Sequence, residues 1–189
     1  MIQLLGALFG IVLLRLLTPA DYGKIAVLIV FSTIASNLQE SGFIAALCNK
    51  KEATHEDYNA VFWFNIGVSI LMYVILYFCA PLIAQFYREP ILTPLARLFF
   101  LGFVISAFGT VQRAYLFKHL MVKQTNIISV CALIISNVIG ITLVIFGYAF
   151  WGLAIQSILY VLVVVLLNWH YSPWRPTFHI NLMPFLIFF

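Results

Sequence analysis

The stretch Ala60–Phe86, AVFWFNIGVSILMYVILYFCAPLIAQF, runs for 27 residues without an Asp, Glu, Lys, Arg or His. As an α-helix it would rise about 40 Å, more than the ~30 Å hydrocarbon core of a bilayer. A backbone in lipid must satisfy its own hydrogen bonds, so a run like this predicts a membrane-spanning helix. Similar runs lie on both sides of it, at Met1–Leu17, Lys24–Leu47, Leu95–Phe117, Ile127–Phe146 and Phe150–Trp169. Six spans predict an all-α polytopic membrane protein of the inner-membrane type. Met1–Leu17 is short for a complete span, and its natural helix is expected to begin upstream. Leu182–Phe189 (LMPFLIFF) reads as the opening of a seventh.

The composition agrees. Hydrophobic residues make up 64% of the 189 and charged residues 8%, with a mean hydropathy of +1.08. A soluble domain carries about 25% charged residues, so there is too little charge here to cover a water-facing surface. The net charge of +4 reads as membrane topology. No basic run with interleaved aromatics suggests nucleic acid, and Lys50-Lys51 is the only adjacent basic pair. Cys48, Cys79 and Cys131 form no C-x-x-C pair and read as small apolar side chains. No signal peptide is apparent, since the first apolar run has no basic leader and no A-x-A site.

Loop chemistry supports the span boundaries. Thr18-Pro19-Ala20-Asp21 and Thr54-His55-Glu56-Asp57 have the spacing of capping boxes, with Asp in place of Glu, and Thr93-Pro94 is expected to open the fourth helix. Trp63, Trp151, Trp169 and Trp174 fall near span ends, as an interfacial aromatic belt would place them. Gly6/Gly10, Gly102/Ser106 and Ser136/Gly140 are small-x-x-x-small steps that suit close helix contact. With the amino terminus in the cytoplasm, that side holds Lys50, Lys51, Arg113, Lys118, Lys123 and Arg175. The other side then holds Arg15, Lys24, Arg88 and Arg97. Six against four leans toward that orientation.

Ionisable residues inside a membrane are costly and so mark functional candidates. Glu40 lies 16 residues beyond Lys24 and Arg113 lies 18 beyond Leu95, at depths of roughly 24 and 27 Å. An ion pair between them is geometrically possible; separate snorkelling is the plainer alternative. Arg15 and Arg97 lie near the opposite face, where guanidinium groups suit an anionic headgroup. Asn65, Gln112, Asn137 and Gln156 are expected to hydrogen-bond between helices. His55, His119, His170 and His179 form no H-x-x-x-H pair, and His55-Glu56-Asp57 is better read as a helix start than as a metal site. No nucleophile elbow, phosphate loop, dinucleotide fingerprint or pore filter occurs, so neither a cofactor nor an enzyme activity is expected.

Leu14–Gly23 (LRLLTPADYG) resembles the A-R-L-L-T-P-E-D-Y-G signature of bacterial polysaccharide-export flippases. These belong to the multidrug/oligosaccharidyl-lipid/polysaccharide exporter superfamily. The resemblance continues through Ser41-Gly42-Phe43, Asp57-Tyr58-Asn59, Phe62-Trp63, Ala80–Tyr87 (APLIAQFY), Gly147-Tyr148 and Trp151-Gly152-Leu153. It is nearest to the colanic and teichuronic acid exporters, and departs at Leu14, usually Ala, and Ala20, usually Glu.

It implies a six-helix amino-terminal lobe over residues 1–181, with 182–189 beginning a truncated seventh helix, and a carboxy-terminal lobe as missing partner. The implied activity is flipping of undecaprenyl-pyrophosphate-linked oligosaccharide across the bacterial inner membrane, with a glycan polymerase as a further partner. Arg15, Arg97 and Arg113 are then the expected headgroup contacts, and Glu40 a possible ion-coupling group. Alternatives are a cation-coupled exporter, an envelope-glycan enzyme using Glu52, Glu56 and Asp57, and a non-transporting remnant. A drug exporter would need more intramembrane acids than Glu40.

Overall fold

The computed structural model describes residues 2–39 and 54–177. They form α1 (Ile2–Leu16), α2 (Pro19–Gln39), α3 (His55–Tyr87), α4 (Leu92–Lys118), α5 (Val122–Leu143), a π-helical turn (Val144–Tyr148) and α6 (Ala149–Tyr171). No strand occurs among the described residues. The fold is the all-α bundle that the apolar runs predict.

Among the described residues, three continuous helical stretches are long and apolar enough to cross a membrane: His55–Tyr87, Leu92–Lys118 and Val122–Tyr171. The third folds back on itself as the α5–α6 hairpin, bending at Gly147 (φ 89°) and Ala149 (φ 22°). Gly147 tolerates that backbone because it has no Cβ. The described part of α1 is shorter, at 15 residues. In α2 the polar run from Ser32 to Asn37, together with Asp21 and Lys24, dilutes the apolar character.

Two of the three expected caps form. In α3, Thr54 Oγ1 accepts from Asp57 N at 3.3 Å while Thr54 N donates to Asp57 Oδ2 at 2.9 Å, a reciprocal capping box. Thr18 and Asp21 do the same for α2. The third expectation is corrected. α4 begins at Leu92, and its N-cap Ile91 makes no side-chain cap. Leu92 N donates to Glu89 O and Thr93 N to Pro90 O, so the Glu89-Pro90 turn starts the helix and Thr93-Pro94 is already inside its first turn. α3 ends on Arg88 in the left-handed conformation (φ 56°), its N–H returning to Ala84 O and Gln85 O.

The bundle has two cores, one at each end. At one end Leu13, Leu17, Ile25, Leu28, Ala80, Leu92, Leu95, Phe100, Leu153 and Ala154 pack together. Lys24 joins the helices there, pairing with Glu89 at 3.9 Å and lying 4.8 Å above the Phe150 ring. At the other end Tyr58, Val61, Phe62, Ala107, Val111, Ala114 and Trp174 form an aromatic-rich cluster. α3 therefore runs antiparallel to α4, while α4 and α6 run parallel.

Beyond α6 the chain lies over the start of α3 as an extended strap. Thr177 N donates to Asn59 Oδ1 at 2.9 Å and Trp63 Nε1 donates to Thr177 O at 3.0 Å. Trp174, 6% exposed, sits among the rings of His55, Tyr58 and Phe62. The belt reading of the tryptophans is corrected here: Trp174 is a core residue. Trp169 Nε1 likewise donates to Phe108 O at 2.7 Å, within the protein.

Candidate functional cleft

A cleft of about 900 Å³ opens between α2, α4 and α6. Its walls differ in chemistry. From α2 come Ser32, Thr33 and Ser36, and from α4 Ser106, Thr110 and Arg113. Thr125 of α5 and Ser157, Tyr160 and Asn168 of α6 extend the polar lining. Ile29, Phe99, Phe103, Phe117, Ile158, Val161 and Val164 supply apolar surface.

The helical repeat explains the polar stripe. Ser106, Thr110 and Arg113 recur at i, i+4 and i+7, and Ser32 and Ser36 at i and i+4, so each set lies on one helix face. Apart from Ser32, whose buried Oγ has no partner, the cleft serines and threonines of α2, α4 and α6 have already committed their hydroxyl protons. Thr33 Oγ1 donates to Ile29 O at 2.8 Å, Ser106 Oγ to Phe103 O at 2.8 Å, Thr110 Oγ1 to Ser106 O at 3.0 Å and Ser157 Oγ to Leu153 O at 3.0 Å. A hydroxyl that donates to its own helix keeps lone pairs to offer. Such a wall accepts hydrogen bonds from a ligand rich in hydroxyl donors, and Arg113 adds five fixed donors for an anion.

The three expected arginines are not brought together. Arg113 is exposed and lines the cleft. Arg97 stands 16 residues earlier on α4, about 24 Å away along the helix. Its guanidinium carbon lies 4.1 Å from the Tyr77 ring centroid, and its buried Nε has no hydrogen-bond partner. Arg15 is exposed in the last turn of α1, at the same end of the bundle as Arg97. Glu40, and with it the Glu40–Arg113 pair, lies outside the described residues.

Polar residues in the helices divide three ways. Gln156 Nε2 donates to Asn137 Oδ1 at 2.9 Å across the α5–α6 hairpin, the expected interhelical bond. Asn65 is buried in α3. Gln112 is fully buried, yet neither of its amide atoms has a partner, against expectation. Of the three small-x-x-x-small steps, Ser136/Gly140 is at a tight helix contact. A Cβ on Gly140 would lie 2.6 Å from Gln156 Oε1. Gly6/Gly10 meets α5 only loosely: a Cβ on Gly6 would lie 3.9 Å from Leu133 Cδ1, and one on Gly10 would meet nothing within 4 Å. Gly102/Ser106 is corrected: a Cβ on Gly102 would meet nothing within 4 Å, and the step faces the open cleft.

The hydroxyl stripes of the cleft were not singled out from sequence. The signal was present as the i, i+4 and i+4, i+7 spacing of Ser, Thr and Arg, but one such residue looks like any helix-bonded hydroxyl.

The profile of a family described as polysaccharide biosynthesis proteins matches residues 12–189. The chain belongs to this family. It is 28% identical over 155 residues to the lipopolysaccharide biosynthesis protein WzxC of Escherichia coli K12, covering 82% of this chain and 31% of that protein. It is 32% identical over 117 residues to the teichuronic acid biosynthesis protein TuaB of Bacillus subtilis 168, covering 62% and 22%. With the succinoglycan biosynthesis transport protein ExoT of Rhizobium meliloti 1021 it shares 25% over 173 residues, covering 90% and 35%. The chain thus spans between a fifth and just over a third of the length of these relatives. No solved structure matches it. The family and the long apolar helices together make it a multi-pass membrane protein.

Proposed function

We propose that the chain is the amino-terminal lobe of an inner-membrane flippase for polyprenyl-pyrophosphate-linked oligosaccharide, serving envelope or extracellular polysaccharide assembly. The cleft carries this reading. Flipping needs a polar path for sugar and phosphate beside an apolar surface that the lipid tail can follow. Hydroxyl acceptors on α2 and α4, Arg113 at one end and aliphatic side chains on α6 supply those chemistries within one cleft. A second lobe facing the cleft would complete the path, and transport without a catalytic group would make the protein a carrier, not an enzyme.

In this scheme Arg113 meets the pyrophosphate on one side of the membrane, and Arg15 and Arg97 stand at the other end for its exit. Glu40 is proposed as the ion-coupling group from its sequence position alone. The names of the relatives, which refer to biosynthesis of lipopolysaccharide and teichuronic acid and to succinoglycan transport, support the substrate class.

The test is to replace Arg15, Arg97 and Arg113 by Gln together in the complete gene product and to measure surface glycan at matched protein levels. A charge-assisted contact to phosphate contributes about 1.5–3 kcal/mol, so loss of export by about tenfold or more is expected. Export at the wild-type rate would overturn the proposal.

A further inference from the structure

Among the described residues several buried side chains leave one polar atom without a partner, but Gln112, 0% exposed, leaves both its Nε2 and its Oε1 without one. A buried carboxamide with nothing to bond is costly, and costlier away from water. A leucine of similar size would fill the place without that cost. Elsewhere in the same bundle Gln156 at least bonds Asn137 through its Nε2, though its Oε1 is also without a partner. An unpaired amide at a seam between two helices points to a second packing in which it is paired.

The neighbouring helix supplies a partner at the right level. α4 and α6 run parallel, and Gly109 faces Val165 so closely that a Cβ there would lie 3.3 Å from Val165 Cα. One helical step of three residues along both chains brings Gln112 level with Asn168, itself 4% exposed and part of the cleft lining. We infer that Gln112 is a positioning residue: α4 rolls against α6 until Gln112 bonds Asn168, and this roll narrows the cleft and turns Arg113 with it. The absence of a side chain at Gly109 permits the roll, because the two backbones can slide without a Cβ catching on Val165. The packing described here is the open one, with the amide unpaired. This device goes beyond the transport proposal and does not depend on which ligand the cleft takes.

The experiment uses the complete gene product in membranes, with native cysteines replaced. Gln112→Cys and Asn168→Cys are introduced together, with Ser106→Cys alongside as a reporter in the cleft wall. After copper-phenanthroline oxidation, the 112–168 crosslink is expected to lower maleimide labelling of position 106 severalfold, with recovery on reduction. In the same Ser106→Cys background without the 112–168 cysteine pair, Gln112→Leu is expected to raise Tm by about 2 °C or more, since it removes the unpaired amide, while speeding labelling at Ser106→Cys by holding the cleft open. Labelling that is unchanged both by the crosslink and by Gln112→Leu would overturn the inference, leaving Gln112 a purely structural residue. The labelling readout needs no transport, so failure of the flippase proposal would be separately visible.

Discussion

Gln156 on α6 donates its side-chain N–H to Asn137 Oδ1 on α5 at 2.9 Å, and this bond ties the two arms of the hairpin together inside the apolar bundle. Asn137 also donates to Leu133 O at 2.7 Å, so its carboxamide is engaged on both sides. Asn137→Leu would strand the Gln156 amide in a half-buried site, at a cost of about 1–3 kcal/mol. Thermal unfolding in detergent should show Tm lower by several degrees. The double variant Asn137→Leu/Gln156→Leu should recover most of that loss, because neither side then leaves a polar group unpaired. Additive losses would show that the pair does not act as a unit.

Gly140 makes the same hairpin possible. An added Cβ would lie 2.6 Å from Gln156 Oε1 and 2.8 Å from Gln156 Cβ, too close without displacement. Gly140→Ala should destabilise by about 1–3 kcal/mol through overpacking. Gly102, where an added Cβ meets nothing within 4 Å, is the control. Gly102→Ala should be neutral or stabilise by up to about 1 kcal/mol from helix propensity alone. Equal melting shifts for the two variants would refute the close contact.

Trp174 holds the strap that follows α6. Removing its ring from among His55, Tyr58 and Phe62 should cost about 3–5 kcal/mol, the range for truncating a large buried aromatic. Limited proteolysis should then cut between Tyr171 and Thr177 far faster in Trp174→Ala than in the wild type. Equal cutting rates would mean that the hydrogen bonds of Thr177 to Asn59 and Trp63 suffice to hold the segment.

Arg88 caps α3 in a left-handed conformation that L side chains pay about 1–2 kcal/mol to adopt. Arg88→Gly relieves that strain but adds freedom to the unfolded chain. The net expectation is a gain of about 0.5–1 kcal/mol, read as a Tm rise of a degree or more. A fall in Tm would mean that the arginine side chain contributes more than the backbone strain costs.

The helical character was legible because apolar length is a one-dimensional property: a run such as Ala60–Phe86 has few other ways to satisfy its backbone. The caps at Thr18 and Thr54 were legible because each is complete within four residues. Thr93-Pro94 misled because the helix start was set by the turn at Glu89-Pro90, which carries no capping side chain. Trp174 misled for another reason. Proximity to a span end says nothing about whether a chain turns back over its own bundle.

The sequence by itself determined the all-α membrane class, most helix boundaries and the residues costly enough in lipid to be candidates. Tertiary structure alone decided which of them meet. It joined Asn137 to Gln156, left Gln112 unpaired, set Arg113 in the cleft and Arg97 against Tyr77 at the other end of the same helix. The physical reason is that burial cost attaches to a residue, whereas pairing depends on helix rotation and register. Those are fixed by close contacts such as Gly140 on Gln156, between residues on different helices.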